Sequence, residues 1–216
     1  MNKSKTILNL EVFKERKFNF LVVSVLSVQT MFLDLSFLLP IYLQMALEQI
    51  ATQAGFFMFP GSLIVALTTP LAGIVFDRRG PFIPIFSGMS IIVLVMVVIS
   101  VFFEHLTVTQ LLMGNIAVMV GAAFTIGNLV THTLSQLRPD LQADGNSILN
   151  TWQQFTGAAA TTMITKIFFM TLTQTTHVFT AGKLSISFIA FILLMGLISY
   201  VSYSRMKAVV EEELVV

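Results

Sequence analysis

Six apolar stretches dominate this sequence, and each is about 20 residues long or longer, the length that crosses the hydrocarbon core of a bilayer. They are predicted to span residues 18–46, 55–76, 82–103, 108–132, 148–170 and 184–203. Lipid offers no hydrogen-bond partner to backbone groups, so each stretch is expected to be an α-helix. Of the 216 residues, 56% are hydrophobic and 11% are charged, which is more hydrophobic and less charged than soluble domains usually are. We therefore expect an all-α membrane protein of six transmembrane helices in contact with the lipid bilayer.

The basic residues predict how the chain is oriented in the membrane. Of the twelve lysines and arginines, all except Lys166 and Lys183 precede the first stretch, follow the last, or lie in the second and fourth connections. Cytoplasmic connections of membrane proteins carry an excess of such residues. We expect residues 1–17 and 205–216 to be cytoplasmic and the bundle to occupy residues 18–204. The protein is then expected in the cell (plasma) membrane, with both termini inside the cell.

Several kinds of chemistry are excluded by residue type and spacing. Cysteine is absent, and the three histidines are far apart in the sequence, so no metal site is expected. The sequence contains neither H-E-x-x-H nor G-x-S-x-G, and no second aspartate within the membrane could pair with Asp34. We therefore predict no enzyme activity, no cofactor and no nucleic-acid partner.

The predicted spans differ in polarity, which separates lipid-facing helices from cavity-facing ones. The third and sixth spans carry no charged side chain and no amide, as expected of outer helices. The fifth span carries polar and small residues at i+4 spacing; the fourth has a similar stripe, which helix packing alone would explain equally well. The residues predicted to line a cavity are Gln29, Thr125, Asn128, Asn150, Gln153, Gln154, Gly157 and Thr161.

The second connection contains a charged motif that ends in glycine, GIVFDRRGP. The pattern G-x-x-x-D-R-x-G between two long apolar helices resembles the cytoplasmic signature of the major facilitator superfamily, a family of transporters built from structural repeats. This chain departs from the family by following the glycine with proline and phenylalanine instead of two basic residues. The acid is expected near the N-terminus of the third span, where exposed amides favour an anion. The residues that carry the motif are Gly73, Asp77, Arg78 and Gly80.

Further stretches resemble the C-terminal six helices of drug/proton antiporters with fourteen helices. They are LEVFKERKFNF before the first span, FLLPIYLQ at its end, AGFFMFPGSLIVALTTPLAGIVFDRRGP and NSILNTWQQFTGAAATT. The resemblance implies one half of a major facilitator fold, a 3+3 inverted repeat. In that family the first, second, fourth and fifth helices of each half border the central cavity. The implied activity is proton-coupled multidrug efflux of small lipophilic or cationic compounds.

The chain has six predicted spans, whereas a complete member of that family has two six-helix halves around one cavity. The glycine- and proline-rich antiporter motif and the acids of the family's first half are not in this sequence. A second six-helix half is therefore an expected partner, either a separate chain or a second copy. The alternative is a truncated or non-transporting six-helix membrane protein that acts in assembly or regulation.

Two charged residues are predicted to lie within the membrane. Asp34 is about 16 residues into the first span, where an unpaired carboxylate costs several kcal/mol. A carboxyl that exchanges a proton for a cationic substrate is what a proton-coupled exporter needs, so Asp34 is predicted to serve in proton coupling or cation recognition. The alternative is that it only reaches water near the outer mouth. Lys166 lies at a similar height; it either extends to the interface or forms an ion pair with Asp34.

Overall fold

The computed structural model describes residues 10–175 and 178–213. A short 3-10 helix, Leu10–Lys14, precedes six α-helices, and a second one, Phe103–His105, follows the third of them. The described residues contain no strand, and the expected all-α fold is confirmed. The six helices are α1 (Arg16–Ala46), α2 (Ala51–Arg79), α3 (Phe82–Phe102), α4 (Val108–Leu134), α5 (Gln142–Thr175) and α6 (Val178–Glu213).

Local sequence explains where the middle helices begin and end. The Thr107 hydroxyl accepts a hydrogen bond from the backbone N–H of Gln110, and the Gln110 side chain accepts one in return from the Thr107 N–H, a capping box that starts α4. Helix α2 ends at Gly80, whose φ of +78° lies in the region that only glycine adopts without strain. Pro60 and Pro70 lie inside α2 and each remove one helical hydrogen bond.

The packing of the six helices repeats after three. Helix α1 packs mainly against α6 and α5, and α4 packs in the corresponding way against α3 and α2. Helices α1 and α4 also contact each other, as do α3 and α6. The first triplet of helices, α1 to α3, therefore meets the second, α4 to α6, along equivalent helices. Because each triplet has an odd number of crossings, the second one runs in the opposite sense to the first. The described helices thus have the packing of a 3+3 inverted repeat.

Small residues bring the main helix pairs close together. A Cβ atom on Gly121 of α4 would lie 2.7 Å from the carbonyl oxygen of Gly88 in α3. At the corresponding contact between α1 and α6, the hydroxyl of Ser24 donates to the carbonyl oxygen of Gly196 at 2.9 Å. Close backbone approach of this kind supports helix association in membranes, where the hydrophobic effect between helices is weak.

Helix α5 is the most polar of the six. Five helices of the described residues are long and apolar enough to cross a membrane, and α5 does not meet that criterion although it has 34 residues. It nevertheless packs along α1 and α6 inside the bundle, with Gly157 against Leu33. Thr161 of α5 hydrogen-bonds to α1, whereas Asn150, Gln154 and Thr162 remain exposed on the surface of this single chain.

Exposure differs between the helices of this single chain, and it does not by itself distinguish helices that face lipid from helices that border a cavity. In the most apolar part of α2 only 11% of the residues are buried, compared with 39% in α3 and 44% in α6. Helix α2 packs mainly against α4, and its other sides carry large exposed apolar side chains. The reason is geometric: α2 lies at the flank of the bundle, where these six helices provide no further neighbour.

Candidate functional site

The carboxyl group of Asp34 is the only charged side chain in the described residues that is fully buried, with 0% exposure. Its Oδ1 atom accepts a hydrogen bond from the Thr161 hydroxyl of α5 at 3.0 Å, and its Oδ2 atom is buried without a partner. A buried carboxylate is costly unless it is paired, hydrated or protonated. The site therefore has one oxygen ready to hold a proton or to accept a cation.

The structure does not bring Asp34 and Lys166 into an ion pair. The described ion pairs join Lys14 to Glu11, Arg138 to Glu11 and Asp140, and Lys183 to Glu104. Lys166 is exposed, and it makes no ion pair or hydrogen bond with any described residue. The residue of α5 that contacts the carboxyl group is instead Thr161, five residues before Lys166.

An open groove of about 480 Å³ lies beside this hydrogen bond, between α1 and α5. Three threonines of α5 supply hydroxyl groups to it, and aromatic and thioether side chains supply apolar surface. Such a surface contacts an apolar body and hydrogen-bonds a few polar groups, as pockets for small lipophilic molecules do. The residues that line the groove are Phe37, Thr161, Thr162, Thr165, Lys166, Phe169 and Met170.

Two predicted cavity residues, Gln29 of α1 and Gln153 of α5, meet at a small pocket that α4 completes through Leu129 and Val130. Both amides are half-buried. Asn150 and Gln154 lie on the exposed side of α5, where the Asn150 amide donates to the Asn146 side chain at 3.2 Å. Polar groups of this kind in the span of a helix favour a surface against water or protein over one against lipid.

Three other predicted cavity residues lie at helix contacts instead. Thr125 is fully buried, donates to the carbonyl oxygen of Gly121 in its own helix, and lies against Gly88. Gly157 is buried under Leu33. Asn128 donates to the carbonyl oxygen of Ala72 in α2 at 3.3 Å. The spacing of small and polar residues identified these faces, but spacing alone could not separate packing from cavity lining, as the alternative for the fourth span anticipated.

The signature motif forms the last turn of α2 and its connection to α3. The side chains of Asp77 and Arg78 are exposed and make no hydrogen bond or ion pair with any described residue. Gly80 ends the helix, and the hydroxyl of Tyr200 in α6 donates to the carbonyl oxygen of Pro81 at 3.5 Å. A Cβ atom on Gly73 would meet nothing within 4 Å, so this glycine borders open space. The charged motif surface is therefore available to a partner or to the membrane surface.

Asn115 of α4 is a buried polar residue that the sequence interpretation missed. It is 2% exposed, and neither atom of its amide group has a hydrogen-bond partner. Its Nδ2 atom lies 2.9 Å from where a Cβ on Gly61 of α2 would be. An amide in the middle of an apolar span was the available signal.

No group of three or more His, Asp or Glu side chains in the described residues could hold a metal ion.

Comparison with known proteins places this arrangement in a family. Residues 2–161 match the model of the Major Facilitator Superfamily. The lincomycin resistance protein LmrB of Listeria innocua is 30% identical over 161 residues, which are 74% of this chain and 34% of that protein. LmrB of Bacillus subtilis is 28% identical over 167 residues, 77% of this chain and 35% of that protein.

A further relative, the uncharacterized MFS-type transporter YhcA of Bacillus subtilis, is 30% identical over 137 residues, 61% of this chain and 25% of that protein. The chain spans about a third of the length of the lincomycin resistance proteins that it matches. The match covers α1 to α4 and the half of α5 that contains Thr161. A six-helix bundle with 3+3 packing, a signature motif between α2 and α3, and a family match over most of its length together show that this chain belongs to the major facilitator superfamily.

Proposed function

We propose that this chain forms one half of a proton-coupled multidrug efflux permease that exports lipophilic or cationic compounds. The observation that carries the proposal is the carboxyl group of Asp34, which is fully buried, has one unpartnered oxygen and adjoins a groove of mixed apolar and hydroxyl character. The names of the lincomycin resistance proteins, which are similar over three quarters of this chain, support a drug as the substrate.

The proposed mechanism uses one group for two ligands. A proton on Oδ2 of Asp34 neutralises the buried carboxyl, and a cationic substrate in the groove replaces that proton by charge attraction. The carboxyl group cannot hold a proton and a cationic substrate at the same time. The entry of a proton is therefore coupled to the exit of a substrate. The Thr161 hydroxyl, which donates to Oδ1 and itself lines the groove, fixes the orientation of the carboxyl group.

The proposal includes a second six-helix half on the side formed by α2 and α5. Exposed polar residues of α5, Asn150, Gln154 and Thr162, lie on its surface, while the exposed large side chains of α3 are all apolar. Lipid suits the surface of α3 and leaves the polar groups of α5 unsatisfied. A protein partner across a water-filled cavity satisfies them, and it also covers the flank of α2.

The test is ethidium efflux from cells that lack their own drug pumps. We expect efflux by the wild-type chain, expressed with its partner half if a neighbouring reading frame encodes one, and a loss to the level of the empty vector for Asp34→Asn. The neutral amide keeps the size of the carboxyl group but cannot exchange a proton at neutral pH. Asp140→Asn, an exposed acid in the connection between α4 and α5, is the matched control and should leave efflux unchanged.

The comparison must be made at equal abundance in the membrane. Efflux by Asp34→Asn at the wild-type rate would refute the role of the carboxyl group. An absence of efflux from the wild type in every pairing would instead favour the alternative, a six-helix membrane protein that acts in assembly or regulation without transport.

A further inference from the structure

A continuous apolar groove runs along α5 on the side opposite Thr161 and Thr165. It consists of two adjoining clefts of about 280 and 310 Å³ that share Met163 and Phe188. Its walls come from α1, α5 and α6, and almost all of its exposed surface is carbon. The side chains that form its walls include Val23, Leu26, Ala159, Ala160, Ile167 and Ile192. The groove opens to the outside of the bundle and meets the groove beside Asp34 at Lys166 and Met170, which line both.

The part of the groove between Thr156 and Lys166 corresponds in length to one leaflet of a bilayer. It follows ten residues of α5, roughly 15 Å of helix, and the groove continues beyond it to Met170. The hydrocarbon core of a membrane is about 30 Å thick, so this is half of it. Below the groove α1 and α6 are joined by hydrogen bonds from Ser24 to Gly196 and from Ser199 to Phe20, which close its inner end.

A single cation lies at the open end of the groove. The Lys166 side chain lines this end with Met170 and Phe188, and it has no ion-pair or hydrogen-bond partner among the described residues. Phe188 is five residues, about 7.5 Å of helix, from Lys183, whose exposed ion pair with Glu104 marks the end of the bundle. The flexible stem of Lys166 can extend toward that end of the bundle, as lysine side chains do near a membrane interface.

We propose that this groove is a binding site for an anionic phospholipid, with one acyl chain along α5 and the phosphate on Lys166. The apolar walls match a hydrocarbon chain in chemistry, and the part of the groove up to Lys166 has the length of one leaflet. An unpaired ammonium group within a span is costly, and a phosphate next to it removes that cost. The site takes its lipid from the leaflet at the end where α5 meets α6.

The experiment is native mass spectrometry of the purified chain in detergent, with phosphatidylglycerol or phosphatidylcholine of the same acyl chains added. The wild type should retain phosphatidylglycerol in preference to phosphatidylcholine. Lys166→Gln should weaken phosphatidylglycerol binding about fivefold, since a basic residue near an anionic surface contributes about 1 kcal/mol. Lys183→Gln removes the same charge from a residue already paired with Glu104 and should have little effect. Ala159→Phe fills the groove and should weaken the binding of both lipids.

A second measurement does not depend on detergent. Trp152 is the only tryptophan, so Trp152→Phe combined with Phe188→Trp places a single fluorophore in the groove. Phosphatidylglycerol brominated on its acyl chains should quench this fluorophore more than brominated phosphatidylcholine at the same mole fraction, and Lys166→Gln should abolish the difference. Equal binding or equal quenching by the two lipids in the wild type would overturn the proposal, as would a Lys166→Gln variant that behaves like the wild type.

Discussion

At the scale of single residues, the conformation of Gly80 sets the geometry of the signature motif. Its φ of +78° and ψ of 175° form a combination that is essentially restricted to glycine, and other residues lose about 1–3 kcal/mol there. We therefore expect Gly80→Ala to lower the thermal unfolding temperature of the protein in detergent, measured by tryptophan fluorescence.

Gly73 of the same motif provides the control. It is helical, and a Cβ atom on it meets nothing within 4 Å. Gly73→Ala should leave stability unchanged or raise it slightly, because alanine favours the helix by up to about 1 kcal/mol. Equal loss of stability in the two variants would show that the backbone of Gly80 is not what the motif requires.

Individual site residues could be predicted only in part from the sequence. A carboxylate in an apolar span identified Asp34, and i+4 spacing identified the helix face of Thr161. The contact between them depends on how α1 and α5 are rotated against each other, which periodicity within one helix does not specify. Lys166 was the plausible partner on charge alone, but the shorter Thr161 side chain already lies next to the carboxyl group. Asn115 was missed for a different reason: it is a single amide outside the polar stripe of its helix, and such a residue is easily taken for part of an apolar run.

At the scale of helices, a close contact between α3 and α4 depends on two glycines. A Cβ atom on Gly121 would lie 2.7 Å from the carbonyl oxygen of Gly88, and the obstacle is backbone that cannot rotate away. Gly121→Ala should therefore push the helices apart and lower the unfolding temperature. Destabilisation by overpacking is typically about 1–3 kcal/mol.

Gly127, about two turns further along α4, lies at an exposed part of the helix, and a Cβ atom on it would meet nothing within 4 Å. Gly127→Ala is thus the matched control in the same helix. If Gly121→Ala were as stable as Gly127→Ala in the same detergent, the close contact between Gly121 and Gly88 would not contribute to stability as proposed.

The helices themselves were the most predictable part of the structure. Length and apolar character suffice for α1 to α4 and α6, because lipid allows little other than a helix. The order of contacts was implied by the resemblance to the family and not by the composition. Polarity alone did not indicate the exposure of α2, since polarity suggests which helix suits lipid but cannot show which helix a bundle leaves at its flank.

At the scale of the whole molecule, the proposed second half should cover α2 and not α3. Leu67 of α2 and Leu94 of α3 are equally exposed, at 67% and 66%, so a cysteine at either position in this cysteine-free chain has similar access. A maleimide that carries a photoreactive group should attach to Leu67→Cys and, on irradiation in membranes, cross-link it to a partner, detected as a larger band on a gel.

Leu94→Cys should remain at the size of the single chain, because its helix is expected to face lipid. A band at twice the mass would identify a second copy as the partner, whereas a band of another mass would identify a separate chain. Efficient cross-linking from Leu94 and none from Leu67 would contradict the proposed arrangement of the halves.

The central claim is that all six helices, including the polar α5, cross the membrane, so that Asp34 and Thr161 meet within the bilayer. Single cysteines at Asp140 and Lys183, on either side of α5, test this claim with a membrane-impermeant maleimide. We expect Lys183→Cys to be labelled in intact cells, and Asp140→Cys to be labelled only after the membrane is permeabilised. Labelling of both positions from the same side of the membrane would contradict the account.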